Sequence, residues 1–410
     1  MPGGWKGQSD DTIEQYLAEQ STMPLRSHMH DHNPQSHMAD VQTMNIGLLS
    51  HHADFSTNEY FARAISHSGC ELLRIGPVYP HKAAKVAPSF TELLHGQAID
   101  LLLFVDPSGP VWPLGFESLP CPKAAYLIDV HMNLRLRLTY APFFDFLFVA
   151  QKDYVAAFHR AGFRNTWWLP LACDPDLHCT DETTRPIDVG FVGQLGAKRS
   201  RRHAVLTNVL PQYATNDFTR SYNPADMARL YARSKIVFNT SVNGDLNMRV
   251  FEALGSGALL VTDRIDNGLS ELFEEDVHYV GYSTIPEAHE KLRYYLAHTE
   301  ERERIAEAGR ARAFAQHTYE DRWRRIRELV ATPTSEAVPI AAYPPLRRAR
   351  TYAKVYEQLK LPNGVWLQML SVPASHRVAM IPELARASAR RVITSGRATM
   401  AALEARLRKH

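Results

Sequence analysis

The chain is poor in cysteine, in charge of one sign and in long apolar runs. Four cysteines in 410 residues, Cys70, Cys121, Cys173 and Cys179, form no CxxC pair. That excludes a disulfide scaffold and a paired-thiolate metal site, and reduced thiols in a cytoplasmic protein are expected. Apolar runs such as Leu101–Val105 fall far short of the roughly 20 residues that cross a bilayer, and the N-terminal stretch has no apolar signal-peptide core. A formal net charge of +2 gives no global pull toward nucleic acid, so no nucleic-acid partner is expected. What is present is a globular composition, 45% hydrophobic and 22% charged, in a chain too long for one ordinary core.

Residues 1–43 are polar and read as a disordered tail with one short helix near Thr12–Glu19. His28, His30 and His32 alternate there, but no Cys or carboxylate cluster completes a metal site, and a solvated tail is the simpler reading. From Met44 onward, short apolar runs alternate with helical patterns. Met44–Ser50, Cys70–Ile75, Asp100–Val105, Ala124–Ile128, Phe144–Ala150 and Thr166–Leu171 read as strands, with helices at Asn58–His67 and Lys152–Ala161 among them. Residues 172–186 break the rhythm and read as a linker. It restarts with strands at Ile187–Val192, Lys235–Asn239, Ala258–Thr262 and Val277–Tyr282, then helical stretches to about Ala331. The prediction is α/β: two Rossmann-like, doubly wound parallel-sheet domains, 44–171 and 187–331, facing a central cleft where such folds place ligands.

The segment 332–410 differs in charge. From Ala341 to His410 there are thirteen Lys or Arg against three Glu. Its last stretch, Pro382–Leu407, has a helical pattern rich in Ala and Arg. Such a basic helical tail can lie peripherally on an anionic membrane, meet an acidic partner, or pack on the acidic body of its own chain.

The densest run of polar chemistry is Lys235–Asp263. A polar loop (Asn239 to Asp245, including Asn243) leads from a strand into the helix Asn247–Leu254, whose start is a ready anion site. Arg249 lies in the first turn, where a cation opposes the helix dipole unless an anion is near. Glu252 sits three residues on, on roughly the same face, and can accept two sugar hydroxyls; an i, i+3 surface pair is the competing reading. A second candidate, Val192-Gly-Gln-Leu-Gly-Ala-Lys-Arg-Ser-Arg-Arg202, follows a strand and opens a helix. Gly193 and Gly196 allow close backbone approach, and Lys198, Arg199, Arg201 and Arg202 can neutralise a diphosphate. Gly190, Gly193 and Gly196 do not match G-x-G-x-x-G, which makes a nicotinamide enzyme a poor fit. Asp174-Pro-Asp176 resembles a D-x-D metal signature and reads as a turn; no metal is expected.

The run Asn247–Asp263 (NMRVFEALGSGALLVTD), with Gly268–Phe273, Tyr282, His317-Thr-Tyr319, Ala125–His131 and Asp145–Pro175, resembles GT-B glycosyltransferases, especially the spore-maturation CgeB-like branch, over roughly residues 44–330. The resemblance implies that Glu252 binds the ribose of a nucleoside-diphosphate sugar, with Gly193, Lys198, Arg199, Arg201, Asn239, Asn243, Arg249, Thr262 and Asp263 as donor-binding candidates and no covalently bound cofactor. Retaining relatives carry a glutamate eight residues before this one; here that position is Gly244, beside Asp245, so the stereochemistry is left open. Sugar transfer requires the acceptor hydroxyl to lose its proton, and residues at strand ends facing the cleft are candidates for the base: Asp129 first, then His131 or His52, which stands beside His51 and near Asp54. The expected partners are a nucleotide-sugar donor and a hydroxyl acceptor, in cell-surface glycan biosynthesis. The alternatives are a sugar-nucleotide epimerase, a phosphorylase, or a non-catalytic surface-assembly protein on the same fold.

Overall fold

A computed structural model describes residues 44–50, 57–75, 88–106, 112–178, 184–332, 339–359, 362–386 and 388–389. The candidates His28, His30, His32, His51, His52 and Asp54, the helix expected at Thr12–Glu19, Cys179 and the basic stretch beyond residue 389 lie outside the described residues.

The first sheet holds β1 (Asn45–Leu49), β2 (Glu71–Ile75), β3 (Leu101–Val105), β4 (Lys123–Leu127), β5 (Phe146–Val149) and β6 (Thr166–Trp168), in the order β2-β1-β3-β4-β5-β6 with every pair parallel. The second holds β7 (Ile187–Gly190), β8 (Ser234–Phe238), β9 (Leu259–Asp263) and β10 (Val280–Tyr282), in the order β10-β9-β8-β7, also parallel. Strands β3 and β4 are buried along their whole length, which is why they read as unbroken apolar runs. The one charge in them, Lys123, survives burial because Nζ donates to Cys121 O at 3.0 Å and lies 3.4 Å from Asp145.

Around the first sheet run α1 (Thr57–His67), α2 (Phe90–Leu94), α3 (Leu134–Tyr140) and α4 (Val155–Arg160), while α5 (Pro175–His178) packs on helices of the second half. The second carries α6 (Arg201–Val209), α7 (Pro224–Ala232), α8 (Met248–Gly255), α9 (Leu269–Leu272), α10 (Ile285–Ala297) and α11 (Thr299–Gln316), and α12 (Tyr319–Ala331) follows them in the chain. Both sheets reverse direction. In the first the reversal lies between β1 and β3. In the second, Thr215 bridges Val189 at the outer side of β7, and the chain then crosses to place β8 on the other side. Beyond the C-terminal strand ends, such a reversal leaves a crevice.

Helix α12 returns to the first domain and packs on α1. Tyr319 meets Phe61 edge-on at 5.2 Å, Trp323 Nε1 donates to Ser68 Oγ at 2.9 Å, and the buried Arg322 donates to Pro170 O at 2.7 Å and Leu171 O at 3.1 Å. Asp174-Pro-Asp176 opens α5, with the Asp174 carboxylate buried against Arg63 Nε at 2.7 Å. The C-terminal segment adds α13 (Pro345–Gln358), α14 (Pro362–Ser371) and α15 (Ala374–Arg377). Helix α13 lies against α3. Tyr352 Oη accepts from Phe116 N at 2.9 Å and donates to Glu117 Oε2 at 2.7 Å, and Tyr356 Oη donates to Trp112 O at 2.9 Å. Ile340, Ala349 and Val365 join the same apolar core as Trp112, Phe116 and Phe143. No described helix is long and apolar enough to cross a membrane.

Candidate functional site

The reversal between β7 and β8 is lined by two loops, 191–200 after β7 and 239–247 after β8, and by the start of α8. Arg249, on the first turn of α8, turns inward. Its Nε donates to Val192 O at 2.9 Å and to Tyr231 Oη at 3.2 Å, its Nη1 donates to Asn239 Oδ1 at 2.7 Å, and the guanidinium lies 4.5 Å over the Phe191 ring. Gly193 makes this possible: its φ is +143°, and a Cβ there would stand 2.1 Å from Arg249 Nη2. Arg202 is buried beside it, donating to Gln194 O at 2.9 Å and to Thr240 O. Burial, and then repulsion from Arg249, pull its guanidinium down to about 10. The two arginines thus bind the two loops together.

Asn239, Thr262 and Asp263 complete the frame. Asn239 Nδ2 donates to Thr262 Oγ1 at 2.9 Å, and Asp263 accepts from Ser241 N and Ser241 Oγ, each at 2.7 Å. Asn243 takes a left-handed φ of +55° in the turn that Val242 N closes on Asp245 Oδ1 at 2.8 Å. Arg201 is 60% exposed and reaches Asp263 at 3.2 Å. Lys198 and Arg199 are exposed and have no partner among the described residues. Glu252 is different again. It is buried, and no hydrogen bond among the described residues reaches its carboxylate. Burial pushes its carboxyl up to about 7, with Arg249 opposing; burial also raises the phenols of Tyr60, Tyr231 and Tyr319, and the charge of Glu252 adds to each. Tyr60 belongs to α1 of the first domain, so Glu252 faces the junction of the two halves.

On the first domain, β4 ends at Leu127, and two residues on Asp129 holds a left-handed φ of +49° and leads into the 3-10 turn Val130–Met132. The turn is fixed from below: Gln151 Oε1 accepts from Val130 N at 3.2 Å, and Arg137, paired with the buried Asp106 at 2.8 Å, donates to Ile128 O at 3.0 Å. His131 Nδ1 is buried and without a hydrogen bond. Across the cleft, burial pushes the Asp245 carboxyl up, His131 pulls it down and Asp129 pushes it up again. Asp129 and His131 therefore share one neighbourhood with Asp245 of the other domain. Below this point the walls touch, with Lys152 paired to Glu271 and Asn267 Oδ1 accepting from Asp153 N at 3.3 Å.

The structure brings Gly193, Asn239, Asn243, Arg249, Glu252, Thr262 and Asp263 into one reversal, with Lys198, Arg199 and Arg201 on the loop and helix start that follow β7. Asp129 and His131 stand opposite. Asp245, which the sequence offered only as a neighbour of Gly244, feels the charges of Asp129 and His131 from the opposite half. No group of three or more His, Cys, Asp or Glu poised to hold a metal occurs among the described residues.

Two parallel, doubly wound domains around such a cleft define the GT-B fold, and a family model described as glycosyl transferase-like matches residues 189–328. Among solved structures, Anabaena HepE in complex with UDP and glucose superposes with a TM-score of 0.52 at 14% identity, over 70% of this chain and 100% of that one. An alpha-glucosyltransferase in complex with UDP-glucose and DNA containing an abasic site gives 0.52 at 10% identity, over 71% of this chain and 100% of that one. No curated protein matches the sequence.

Proposed function

We propose that the chain is a glycosyltransferase that moves a sugar from a nucleoside-diphosphate sugar to a hydroxyl of a glycan, lipid or protein, without a metal ion. The observation that carries this reading is Glu252: a buried carboxylate without a hydrogen-bond partner, in the same sheet reversal as a loop of unpartnered cations. A ribose diol offers the two donors that such a carboxylate lacks. Lys198, Arg199 and the exposed Arg201 supply charge for the diphosphate, and the N-terminal turn of α8 supplies backbone N–H groups. The UDP and UDP-glucose bound by the structural neighbours support this donor class. The run Asn247–Asp263 supports the CgeB-like branch; a cytoplasmic role in cell-surface glycan synthesis is part of the same proposal.

In this reading residues 187–331 hold the donor and 44–171 the acceptor. The acceptor oxygen bonds to the anomeric carbon as the glycosyl–phosphate bond breaks. Asp129 or His131 takes the hydroxyl proton, and the departing diphosphate leaves its negative charge against Lys198, Arg199 and Arg201. His52 is a further candidate for the base, outside the described residues. The test is a thermal-shift screen with UDP-, GDP-, dTDP- and ADP-sugars. One of them should raise the unfolding temperature by several degrees, because a ligand that binds only the folded state stabilises it. Glu252→Ala should abolish that shift. No shift with any of the four would overturn the proposal.

A further inference from the structure

Of the seven large apolar side chains that stand well exposed among the described residues, four fall within Trp366–Ile381. Trp366 (47% exposed) and Leu370 lie four residues apart on α14, hence on one face, and Val378 (71%) and Ile381 follow on the next turns. The inward face of the same segment is already filled by Val365, Val372 and Met380, so these four are surplus to the core.

The charge around them is one-sided. The acidic residues of the described C-terminal segment, Glu357 and Glu383, are both buried. Glu357 accepts from Arg386 Nε at 3.2 Å, and Glu383 lies 3.6 Å from Arg350 and 3.5 Å from Arg386. No carboxylate is therefore exposed between Trp366 and Pro382, while His376 and Arg377 are. The stretch Trp366–Ile381 thus exposes four large apolar side chains with Arg377 as its charge, and the preceding helix is fastened to the first domain through Tyr352 and Tyr356.

We propose that this face docks on an anionic lipid bilayer, with Trp366, Leu370, Val378 and Ile381 entering the interface and the flanking cations meeting acidic headgroups. The chemistry is that of interfacial binding: apolar area supplies affinity, and basic side chains supply selectivity for negative surfaces. The sequence offered membrane contact as one of three alternatives for the basic tail; this proposal assigns it to the folded stretch Trp366–Ile381 instead. The proposal does not depend on the donor site.

The test is co-sedimentation of the full chain with vesicles of phosphatidylcholine alone and of phosphatidylcholine mixed with phosphatidylglycerol. Binding is expected on the mixed vesicles only and should weaken at high salt. Trp366→Ser with Leu370→Ser should reduce it about tenfold, and Arg377→Glu several-fold, with the unfolding temperature and any donor-induced shift unchanged. Equal binding by the native chain and the double variant would overturn the proposal. So would a concentration-dependent dimer that the double variant converts to monomer, which would assign the face to a second copy.

Discussion

On the C-terminal wall of the cleft, Arg249, Arg202, Asn239, Thr262 and Asp263 direct their polar atoms at one another and at loop carbonyls. What they leave over is Glu252 without a partner and Lys198 and Arg199 in solvent. The N-terminal wall is the reverse. Asp129 holds a left-handed backbone, His131 Nδ1 is buried without a hydrogen bond, and Met132 beside them is 70% exposed. One wall is braced by its own side chains; the other is braced from beneath, through Gln151 and Arg137, and leaves His131 Nδ1 without a hydrogen bond among the described residues. A wall braced in advance loses little freedom on binding a ligand, whereas a turn with an unsatisfied polar atom can change with its ligand.

The largest expected effect separates the two walls by function. Asp129→Asn keeps a side chain that tolerates a positive φ and removes the charge, and His131→Ala removes the ring. If this wall supplies the base, one of the two lowers kcat by roughly a hundredfold to ten-thousandfold and leaves donor affinity unchanged. Single-turnover rates and donor titrations on each variant measure the split. Unchanged kcat in both would place the base elsewhere on the chain.

The difference between the walls also explains what could be read without coordinates. The C-terminal wall was legible because its parts lie close in sequence: strand, polar loop, helix and strand occupy one run from Lys235 to Asp263, with short unbroken apolar strands on either side of an amphipathic helix. The inward turn of Arg249 was not legible, because its partner Val192 lies 57 positions away. On the other wall, Leu134-Arg-Leu-Arg-Leu138 alternates like a strand, yet it forms α3. Asn133 caps it, accepting from Leu136 N at 3.0 Å, and Arg137 is drawn inside by Asp106. A buried ion pair 31 positions apart overrides the local period, and no window of sequence contains both partners. Helix α7 did carry a signal, Asn223 as cap with Pro224 at the first position. Helix α13 lies in the basic stretch whose charge drew more notice than its buried tyrosines.

A smaller effect probes the cost of leaving Glu252 unpartnered. The unfolded chain gives up this proton near 4.5, and the native state keeps it up to about 7. Between those values the native state binds more protons, so stability falls as pH rises, by about 3 kcal/mol across the window. Glu252→Gln removes that slope. The variant should match the native chain near pH 4.5 and exceed it by up to ~3 kcal/mol above pH 7, while losing donor affinity about tenfold. Urea unfolding at both ends of the window reads it. Parallel pH profiles in the two proteins would show that the carboxylate has a partner in solution, and the contrast between the walls would weaken.

The smallest effect divides cations of the same wall. Arg249→Ala takes the shorter donors from Val192 O and Asn239 Oδ1, leaving each a 3.3 Å partner in Tyr231 Oη and Asn247 Nδ2, and frees the loop around Gly193, so it should cost about 2 kcal/mol of stability, and donor affinity with it. Lys198→Ala and Arg199→Ala break no contact among the described residues and should leave the unfolding temperature unchanged. Each should weaken donor binding by about threefold to tenfold, less at high salt, because exposed charges act on a diphosphate through screened attraction. If Arg249→Ala instead spared stability and cost only affinity, the inward arginine would be a ligand group first and a brace second. The wall described as complete in itself would then be incomplete without its donor.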